Sequence, residues 1–301
     1  MKLNVGIVGY GKLGKSLEKL ISKSKDLNLV KIFSRQKRNN LESYTNIKQY
    51  IGKIDIMFLC VGSFSNLEKV ALNLVKNFNT IDVYDNHNNL QKHINNMNNK
   101  CLKFKKVAFC ALGWDPGIFS LIRGLFSSLN LNYITTWGKG VSQGHTNALK
   151  NIEGVKDAVQ FTVPNKKITR IFKKGGIVCN NKDFHTRVCY IVADSKNKSR
   201  IKNEVINMPD YFKGYKTKIK FVSPQKLNLL KTNEHKGCVI SQNNTANFHL
   251  NLKSNPDFTA QVMLSYVTAM KSYIKHKNFG AHSIFDIPLK YILLESEYKY
   301  L

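Results

Sequence analysis

The chain has 301 residues, enough for a sizeable core and more naturally two domains than one. Its 47 lysines and arginines against 19 aspartates and glutamates give a net charge of +28. These cations are spread along the whole chain without a recognised nucleic-acid-binding motif, so we interpret them as solvated surface rather than a nucleic-acid interface. The apolar runs are too short to cross a membrane, and no signal peptide opens the chain. The sequence therefore predicts a cytoplasmic protein without nucleic-acid or membrane partners.

The six cysteines show no C-x-x-C pair and no metal-ligand spacing. Three of them, Cys60, Cys110 and Cys189, lie in apolar runs, where a reduced thiol packs as a small hydrophobic group. We expect neither a disulfide framework nor a metal site.

Short apolar runs typical of strands alternate with amphipathic helical stretches over the first hundred or so residues. The predicted strands are Leu3–Val8, Leu29–Phe33, Ile54–Val61, Thr80–Tyr84 and Lys106–Leu112. The predicted helices are Lys12–Ser22, Asn66–Asn77 and Leu90–Asn98. This alternation predicts an α/β fold with a parallel sheet and crossover helices.

The pattern changes after Leu112, where turn residues lead into a predicted helix at Ile118–Leu129. Strand-forming runs follow, and a long helical stretch closes the chain: Tyr133–Trp137, Ala158–Val163, Arg187–Ala193, Thr217–Val222, then Phe258–His276. We predict three segments: a parallel-sheet domain over residues 1–115, an α+β domain rich in antiparallel strands over 116–255, and a helical segment over 256–301. We expect the last segment to pack back on the first domain.

A glycine motif, Gly9-Tyr10-Gly11-Lys12-Leu13-Gly14, directly follows the first predicted strand and opens the first helix. Gly9 permits the tight turn, Gly11 lets the backbone approach a pyrophosphate, and Gly14 lets helix and strand pack closely. The amino end of the helix adds N–H groups and the positive end of its dipole. A glycine-rich turn without a ligand is the alternative, but the position at the start of a β-α-β unit favours a Rossmann-type dinucleotide-binding domain.

The end of the second predicted strand decides between NAD and NADP. An NAD enzyme typically places an acidic residue about 20 residues after the glycines, on the ribose 2′-hydroxyl. Here the strand ends in Phe33-Ser34-Arg35-Gln36-Lys37-Arg38, without a carboxylate at its tip. Ser34 and Arg35 would bind and neutralise a 2′-phosphate, with Lys37 or Arg38 assisting. The sequence therefore predicts NADP, mainly because the acidic residue is absent.

Eight short motifs, dispersed along nearly the whole chain, carry a family resemblance. They are Val8-Gly9-Tyr10-Gly11-Lys12-Leu13-Gly14, Phe33-Ser34-Arg35, Tyr84-Asp85-Asn86-His87, Gly113-Trp114-Asp115-Pro116-Gly117, Trp137-Gly138, Ser142-Gln143-Gly144-His145, Met208-Pro209-Asp210-Tyr211-Phe212 and Asn255-Pro256-Asp257-Phe258-Thr259. The chain resembles the meso-diaminopimelate dehydrogenase family in these motifs. The resemblance implies that NADP+ takes hydride from the D-configured carbon of meso-2,6-diaminopimelate. Water then releases ammonia and L-2-amino-6-oxopimelate, which cyclises to tetrahydrodipicolinate, in lysine and peptidoglycan precursor synthesis.

The resemblance also assigns candidate site residues and a homodimer formed through the second domain. The substrate positions are Asp85, Trp114, Asp115, Trp137, Gln143, Gly144, Thr162, Arg187, His235 and Asn255, with Asp85 and Asp115 as the catalytic pair. The cofactor positions are Gly9, Tyr10, Gly11, Lys12, Leu13, Gly14, Ser34, Arg35, Gln36, Val61, Gly62, Ser63, Phe64, Val83, Tyr84, Asp85, Leu112, Gly113, Trp114, Asp115 and Pro116. No metal is needed, because the cofactor carries the hydride chemistry.

The two aspartates follow the fourth and fifth predicted strands at their carboxyl ends, where ligands bind in open α/β sheets. A pair of carboxylates there would favour an ammonium ligand. For Asp115 the alternative is a helix N-cap with Pro116 at the first helical position. For Trp114 the alternative is ordinary core packing.

In the second domain, the resemblance implies that Thr162, Arg187 and His235 grip a substrate carboxylate. A planar guanidinium suits that role because it binds a carboxylate through two hydrogen bonds. The alternatives are a surface cation for Arg187, a strand residue for Thr162 and a solvated loop histidine for His235. Asn255 could equally be a turn residue before a proline.

The sequence departs from the family pattern at two places, and it leaves two other functions possible. Gln36 stands where the family usually shows a second arginine, and the segment around Lys231–Cys238 is short and diverged. Another NADP-dependent reductase, of the homoserine dehydrogenase or dihydrodipicolinate reductase type, would keep the glycine motif, and a non-catalytic basic binding protein could share the fold. The residues identify neither the proton acceptor nor the physiological direction.

Overall fold

The computed structural model describes residues 2–35, 41–62, 67–177 and 181–301. The strands are β1 (Leu3–Val8), β2 (Leu27–Ser34), β3 (Glu42–Ser43), β4 (Ile56–Leu59), β5 (Asn79–Asp82), β6 (Val107–Phe109), β7 (Tyr133–Trp137), β8 (Gly140–Val141), β9 (Val155–Pro164), β10 (His185–Ala193), β11 (Lys216–Phe221), β12 (His235–Ser241), β13 (Asn247–Leu252) and β14 (Gly280–His282). The helices are α1 (Lys12–Ile21), α2 (Leu67–Leu74), α3 (Leu90–Phe104), α4 (Ile118–Ser128), α5 (Gln143–Lys150), α6 (Lys166–Lys173), α7 (Lys198–Asn207), α8 (Pro224–Leu230), α9 (Asn255–Ser265) and α10 (Val267–Lys275). Within these ranges, none of the helices combines the length and apolarity that a membrane span requires.

The chain divides into two compact units. Unit 1 comprises Met1–Leu121 with Pro256–Leu301, and unit 2 comprises Ile122–Asn255. The sheet of unit 1 has seven strands in the order β14-β6-β5-β4-β1-β2-β3, and its neighbours pair in parallel. Parallel pairing requires crossover connections, which α1, α2 and α3 provide. The α/β, Rossmann-type fold predicted from the alternating pattern is confirmed.

The core of unit 1 draws on both ends of the chain. Val5 and Ile7 of β1 and Leu17 of α1 are fully buried, in one cluster with Met263 and Met270 of the closing helices. Each large apolar side chain buried in this way stabilises the fold by about 1.5–3 kcal/mol. The helices α9 and α10 therefore form part of the same core as the first strand and helix.

Unit 2 contains two smaller sheets. A four-stranded sheet has the order β11-β10-β9-β8, and a three-stranded sheet has the order β13-β12-β7. The pairing is antiparallel except between β10 and β11. The strand β10 alternates buried and half-buried residues over most of its length, because one face packs against a core and the other does not. The strand β9 is instead buried without interruption from Ala158 to Thr162.

Three main differences separate the observed elements from those predicted from sequence. The helix α3 runs to Phe104 rather than Asn98, because its buried face continues through Met97 and Cys101 although its many asparagines are weak helix formers. The predicted closing helix is two helices separated by Tyr266, whose buried ring makes an edge contact with Phe109. The third difference is a set of elements that the sequence pattern did not reveal, namely the strands β3, β8, β12, β13 and β14 and the helices α5, α6, α7 and α8.

Candidate functional site

The glycine turn joins β1 to α1, and its three glycines have different surroundings. Gly9 has φ +97°, and a Cβ there would lie 2.7 Å from the carbonyl oxygen of Cys60. A Cβ on Gly14 would lie 2.1 Å from the carbonyl oxygen of Gly9, so the helix can approach the strand only because Gly14 has no side chain. A Cβ on Gly11 would meet no atom of the described protein within 4 Å. Two of the glycines thus serve the fold, and Gly11 borders open space.

The amino end of α1 fits a bound pyrophosphate. Within the described ranges, no side chain caps this helix and no acidic residue lies in its first turn. Lys12 and Leu13 are its first two residues, so their main chain and the dipole of the helix offer positive charge to an anion. The half-buried Tyr10 is held in the turn, where its hydroxyl donates to Glu18 Oε2 at 2.5 Å. The chemistry of this turn therefore fits a dinucleotide cofactor.

The remaining predicted cofactor positions lie at the carboxyl ends of β2, β4, β5 and β6, which flank β1 in the sheet. Ser34 ends β2 and is half-buried, and the exposed Arg35 follows it. Val61 and Gly62 follow β4, while Gln36, Ser63 and Phe64 lie outside the described residues, as do Lys37 and Arg38. The residues after β5 are Val83, Tyr84 and Asp85, and those after β6 include Leu112, Gly113, Trp114, Asp115 and Pro116. The carboxyl edge of a parallel sheet is the ordinary ligand position of such folds.

The segment after β6 does not have the structure expected if Asp115 were a helix N-cap, the alternative considered from the sequence. Gly113 N–H donates to the carbonyl of Pro116 at 3.0 Å, so residues 113–116 form a tight turn. The helix α4 begins at Ile118, which leaves Pro116 outside the helix, and the expectation of a helix N-cap at Asp115 followed by a first-turn proline is wrong. Asp115 is half-buried in this turn beside Trp114, whose ring makes an edge contact with Phe119 at 5.2 Å.

In unit 2, strand pairing brings Thr162 and Arg187 together. They are register partners on β9 and β10, and Arg187 Nη1 donates to Thr162 Oγ1 at 2.8 Å. Arg187 is only 6% exposed, so the alternative of a surface cation is wrong. Its guanidinium lies 4.3 Å from the ring centroid of Tyr215. In the part of the chain that the structure describes, no ion pair involves Arg187.

His235 lies next to this pair. It is the first residue of β12 and only 2% exposed, so the alternative of a solvated loop histidine is also wrong. A Cβ on Gly140 would lie 2.6 Å from the Cα of His235, and Gly140 is itself a register partner of Thr162. The absence of a side chain at Gly140 therefore lets β12 approach the sheet that carries Thr162 and Arg187.

The other predicted substrate positions of unit 2 lie at the ends of elements. Trp137 ends β7, while Gln143 and Gly144 open α5 behind the N-cap Ser142. Asn255 is the first residue of α9, and its N–H donates to the carbonyl of Asn233 at 2.8 Å, so it opens a helix rather than forming only a turn.

Sequence reasoning missed His185 in this group. The Trp137 N–H donates to His185 Nε2 at 2.8 Å, so that nitrogen carries no proton. Burial, followed by the charges of Arg187 and His235, lowers the pKa of His185 to about 3. The missed signal was the two-residue period of a strand, which places His185 on the same face as Arg187.

His185 is expected to make the stability of the protein depend on pH. The unfolded state takes up a proton near pH 6.5 and the folded state only near pH 3, so the stabilisation is present above pH 6.5 and lost as the pH falls. As the pH decreases below 6.5, we expect the free energy of unfolding to decrease faster in the natural protein than in His185→Gln. The difference in slope should be up to about 1.4 kcal/mol per pH unit. Glutamine can still accept from Trp137 N–H. Urea titrations of both proteins from about pH 6.5 to 4.5 measure the difference, and parallel pH curves would contradict the assignment.

The chain is similar to known proteins along nearly its whole length. A family model described as the diaminopimelic acid dehydrogenase C-terminal domain matches residues 113–256. A meso-diaminopimelate D-dehydrogenase of Acetivibrio thermocellus is 38% identical, over 97% of this chain and 94% of that protein. The crystal structure of the C. glutamicum DAP dehydrogenase in complex with DAP matches with a TM-score of 0.92 and 33% identity, over 99% of this chain and 98% of that chain. An engineered D-amino acid dehydrogenase bound to NADP+ matches with a TM-score of 0.93 and 32% identity, over the same shares of the two chains.

The fold, the glycine turn and these relatives define an NADP-dependent oxidoreductase. The chain belongs to the meso-diaminopimelate D-dehydrogenase family, as the sequence motifs predicted. This membership replaces the two other functions considered from the sequence, a different NADP-dependent reductase and a non-catalytic binding protein.

Proposed function

We propose that the chain oxidises the D-configured centre of meso-2,6-diaminopimelate, with Asp85 and Asp115 facing its reacting ammonium group. Thr162, Arg187 and His235 would bind one of its carboxylates. Trp114, Trp137, Gln143, Gly144 and Asn255 would complete the substrate contacts. The products are ammonia and L-2-amino-6-oxopimelate, and the reaction is reversible.

The observation that carries this proposal is the buried guanidinium of Arg187. Burying a charge without an opposite charge is costly, and removing a partner from a buried ion pair typically costs about 3–5 kcal/mol. Thr162 and Tyr215 contact the guanidinium, but neither neutralises it. A substrate carboxylate would supply both the missing charge and two acceptors that match the planar fork. A substrate that carries a carboxylate therefore fits the buried guanidinium of unit 2.

Unit 1 supplies the complementary chemistry. When bound, NADP+ accepts the hydride of the substrate. Asp85 and Asp115 follow the adjacent strands β5 and β6, so two carboxylates border the same edge of the sheet. Negative charge there would favour a cationic amino group and would hold it in one orientation.

The end of β2 supports the preference for NADP over NAD. Ser34 and Arg35 offer a hydroxyl and a cation to a 2′-phosphate, and such charge-assisted hydrogen bonds are about twice as strong as neutral ones. Gly9–Gly14 would hold the pyrophosphate, and the residues after β4, β5 and β6 would border the rest of the dinucleotide.

The wider setting is also a proposal. The family resemblance supports a homodimer formed through the second domain and a role in supplying lysine and peptidoglycan precursors. The cytoplasmic location comes from the sequence prediction above.

The first test is oxidation of the substrate itself. Purified protein with NADP+ should form NADPH when meso-diaminopimelate is added, followed by absorbance at the NADPH band. We expect the LL isomer to react at least about 100-fold more slowly, because it presents no D-centre to the site. NAD+ should be a markedly poorer cofactor than NADP+. If no NADPH forms with the meso isomer, the proposed function is wrong.

A further inference from the structure

A buried ion pair lies at the end of β5, three residues before Asp85 in the sequence. Asp82 ends β5 and His93 lies on α3, and both side chains are 0% exposed. His93 Nε2 is 2.9 Å from Asp82 Oδ2. The ring of Tyr84 stacks on the imidazole, with a centroid distance of 4.2 Å and an angle of 7° between the planes. Asp82 and His93 are not among the substrate or cofactor positions predicted above.

The second carboxylate oxygen of Asp82 joins two separate segments of the chain. Asp82 Oδ1 accepts the N–H of Tyr84 at 3.0 Å and the N–H of Ala111 at 2.8 Å. The main-chain carbonyl of Asp82 accepts the N–H of Leu112 at 2.9 Å. Tyr84 immediately precedes Asp85, and Leu112 leads into the turn that contains Asp115. One side chain therefore contacts the main chain of both segments that carry the predicted catalytic aspartates.

Ala111 shows that this contact constrains the backbone. Its φ is +58°, in the left-handed region that a residue with a side chain rarely adopts. Such a conformation persists only where the surroundings determine it, and here its N–H is bound by Asp82 Oδ1. The strained residue immediately precedes Leu112 and the turn of residues 113–116.

Each side chain of the pair shifts the pKa of the other toward the charged form. Burial raises the pKa of Asp82, but the hydrogen bond and charge of His93, together with the two N–H groups, outweigh burial and lower it. Burial lowers the pKa of His93, and the hydrogen bond and charge of Asp82 outweigh that effect and raise it. Burial also raises the pKa of the neighbouring Cys110 thiol well above its ordinary value, so this thiol adds no charge to the pair.

We propose that Asp82 and His93 are a positioning pair that holds the segments of Asp85 and Asp115 in one fixed geometry for the dehydrogenase reaction. The proposal rests on the proposed roles of Asp85 and Asp115. His93 fixes the direction of the Asp82 carboxylate, and that carboxylate fixes the two main-chain segments. A displacement of about 1 Å at reacting groups can reduce a rate about 100-fold, so this pair can control turnover without touching the substrate.

The test compares three variants of the full chain. Asp82→Ala removes the shared acceptor, and we expect kcat for meso-diaminopimelate oxidation to fall about 100-fold while the Kd for NADP+ changes less than about tenfold. Asp82→Asn keeps an oxygen that can accept both N–H groups, and it should restore kcat to within about tenfold of the natural protein. Thr80→Val is the matched control, because Thr80 is equally buried on the same strand and its hydroxyl has no partner among the described residues. This control should leave kcat unchanged.

Amide hydrogen exchange gives a second readout that does not need activity. Asp82→Ala should speed exchange at Tyr84 and Ala111 together, whereas Asp82→Asn and Thr80→Val should not. If Asp82→Ala gives no folded protein, Asp82→Val is the alternative, because a branched apolar residue suits a buried strand.

The proposal is overturned if folded Asp82→Ala turns over normally, if asparagine fails to restore the rate, or if Thr80→Val loses as much activity. It is also overturned if exchange at the two amides does not change. If the natural protein does not oxidise meso-diaminopimelate, the proposed function fails instead, and hydrogen exchange still decides whether Asp82 positions both segments.

Discussion

Replacing Arg187 with methionine is expected to raise the KM for meso-diaminopimelate about 100-fold, equivalent to about 2.7 kcal/mol of lost binding. The guanidinium supplies the charged, planar fork proposed for that substrate carboxylate, and methionine has similar length without charge or donors. The Kd for NADP+ should change less than about twofold, because the glycine turn lies in the other unit. Steady-state kinetics and a direct NADP+ titration measure the two effects separately.

The same substitution is expected to leave the substrate-free protein as stable as before, or more stable. A buried charge without a carboxylate partner opposes folding, and apolar replacements of buried ionic groups are often neutral or stabilising by about 1–4 kcal/mol. Urea unfolding of the free protein checks this expectation. Arg170→Met is the matched control, because Arg170 is exposed on α6 and its loss should alter neither quantity. Equal losses of substrate binding, NADP+ binding and stability in Arg187→Met would instead show that Arg187 serves the fold.

The sheet of unit 1 could be predicted from sequence because its buried strands are continuous apolar runs. The strand at Leu3–Val8 has the predicted bounds, and four others overlap their predicted runs. The edge strand β14 could not be predicted in this way. It has three residues, and it pairs with β6 from a segment that lies far along the chain. Such a strand is determined by tertiary packing rather than by its own composition.

The two parts of the candidate site also differ in how far they could be predicted from sequence. The glycine turn and Asp85 could be located from residue types and strand ends alone, because the physics of phosphate binding and parallel sheets is local. The group around Arg187 came from the family resemblance, since Thr162, Arg187 and His235 lie on three different strands. No pattern within one strand shows that β9, β10 and β12 meet.

Asp82 and His185 had a weaker signal that could have been used. Each is a polar residue within or beside an apolar strand run, and a buried polar group requires a hydrogen-bonding partner. The alternation along β10 places His185 with Arg187, and Asp82 stands between apolar neighbours at the end of β5. What the sequence could not show is the partner, because His93 and Ala111 reach Asp82 only in the folded unit.

Two alanine substitutions in the glycine turn are expected to weaken NADP+ binding for different physical reasons. In Gly14→Ala the new Cβ would lie 2.1 Å from the carbonyl oxygen of Gly9, so α1 must move away from β1. We expect the free energy of unfolding to fall by about 3 kcal/mol, with cofactor binding lost as the turn distorts. In Gly11→Ala the new Cβ meets no described protein atom within 4 Å, and the backbone at φ −80° suits alanine. Stability should therefore stay within about 1 kcal/mol of the natural protein.

The Kd for NADP+ in Gly11→Ala should nevertheless rise at least about tenfold, because the methyl group occupies the path by which a pyrophosphate approaches the main chain. Each variant is the control for the other, since both add one methyl group to the same turn. Urea unfolding and NADP+ titration of the two proteins separate a glycine needed for packing from a glycine needed for the ligand. Normal NADP+ binding by a stable Gly11→Ala would mean that the pyrophosphate does not lie on this turn.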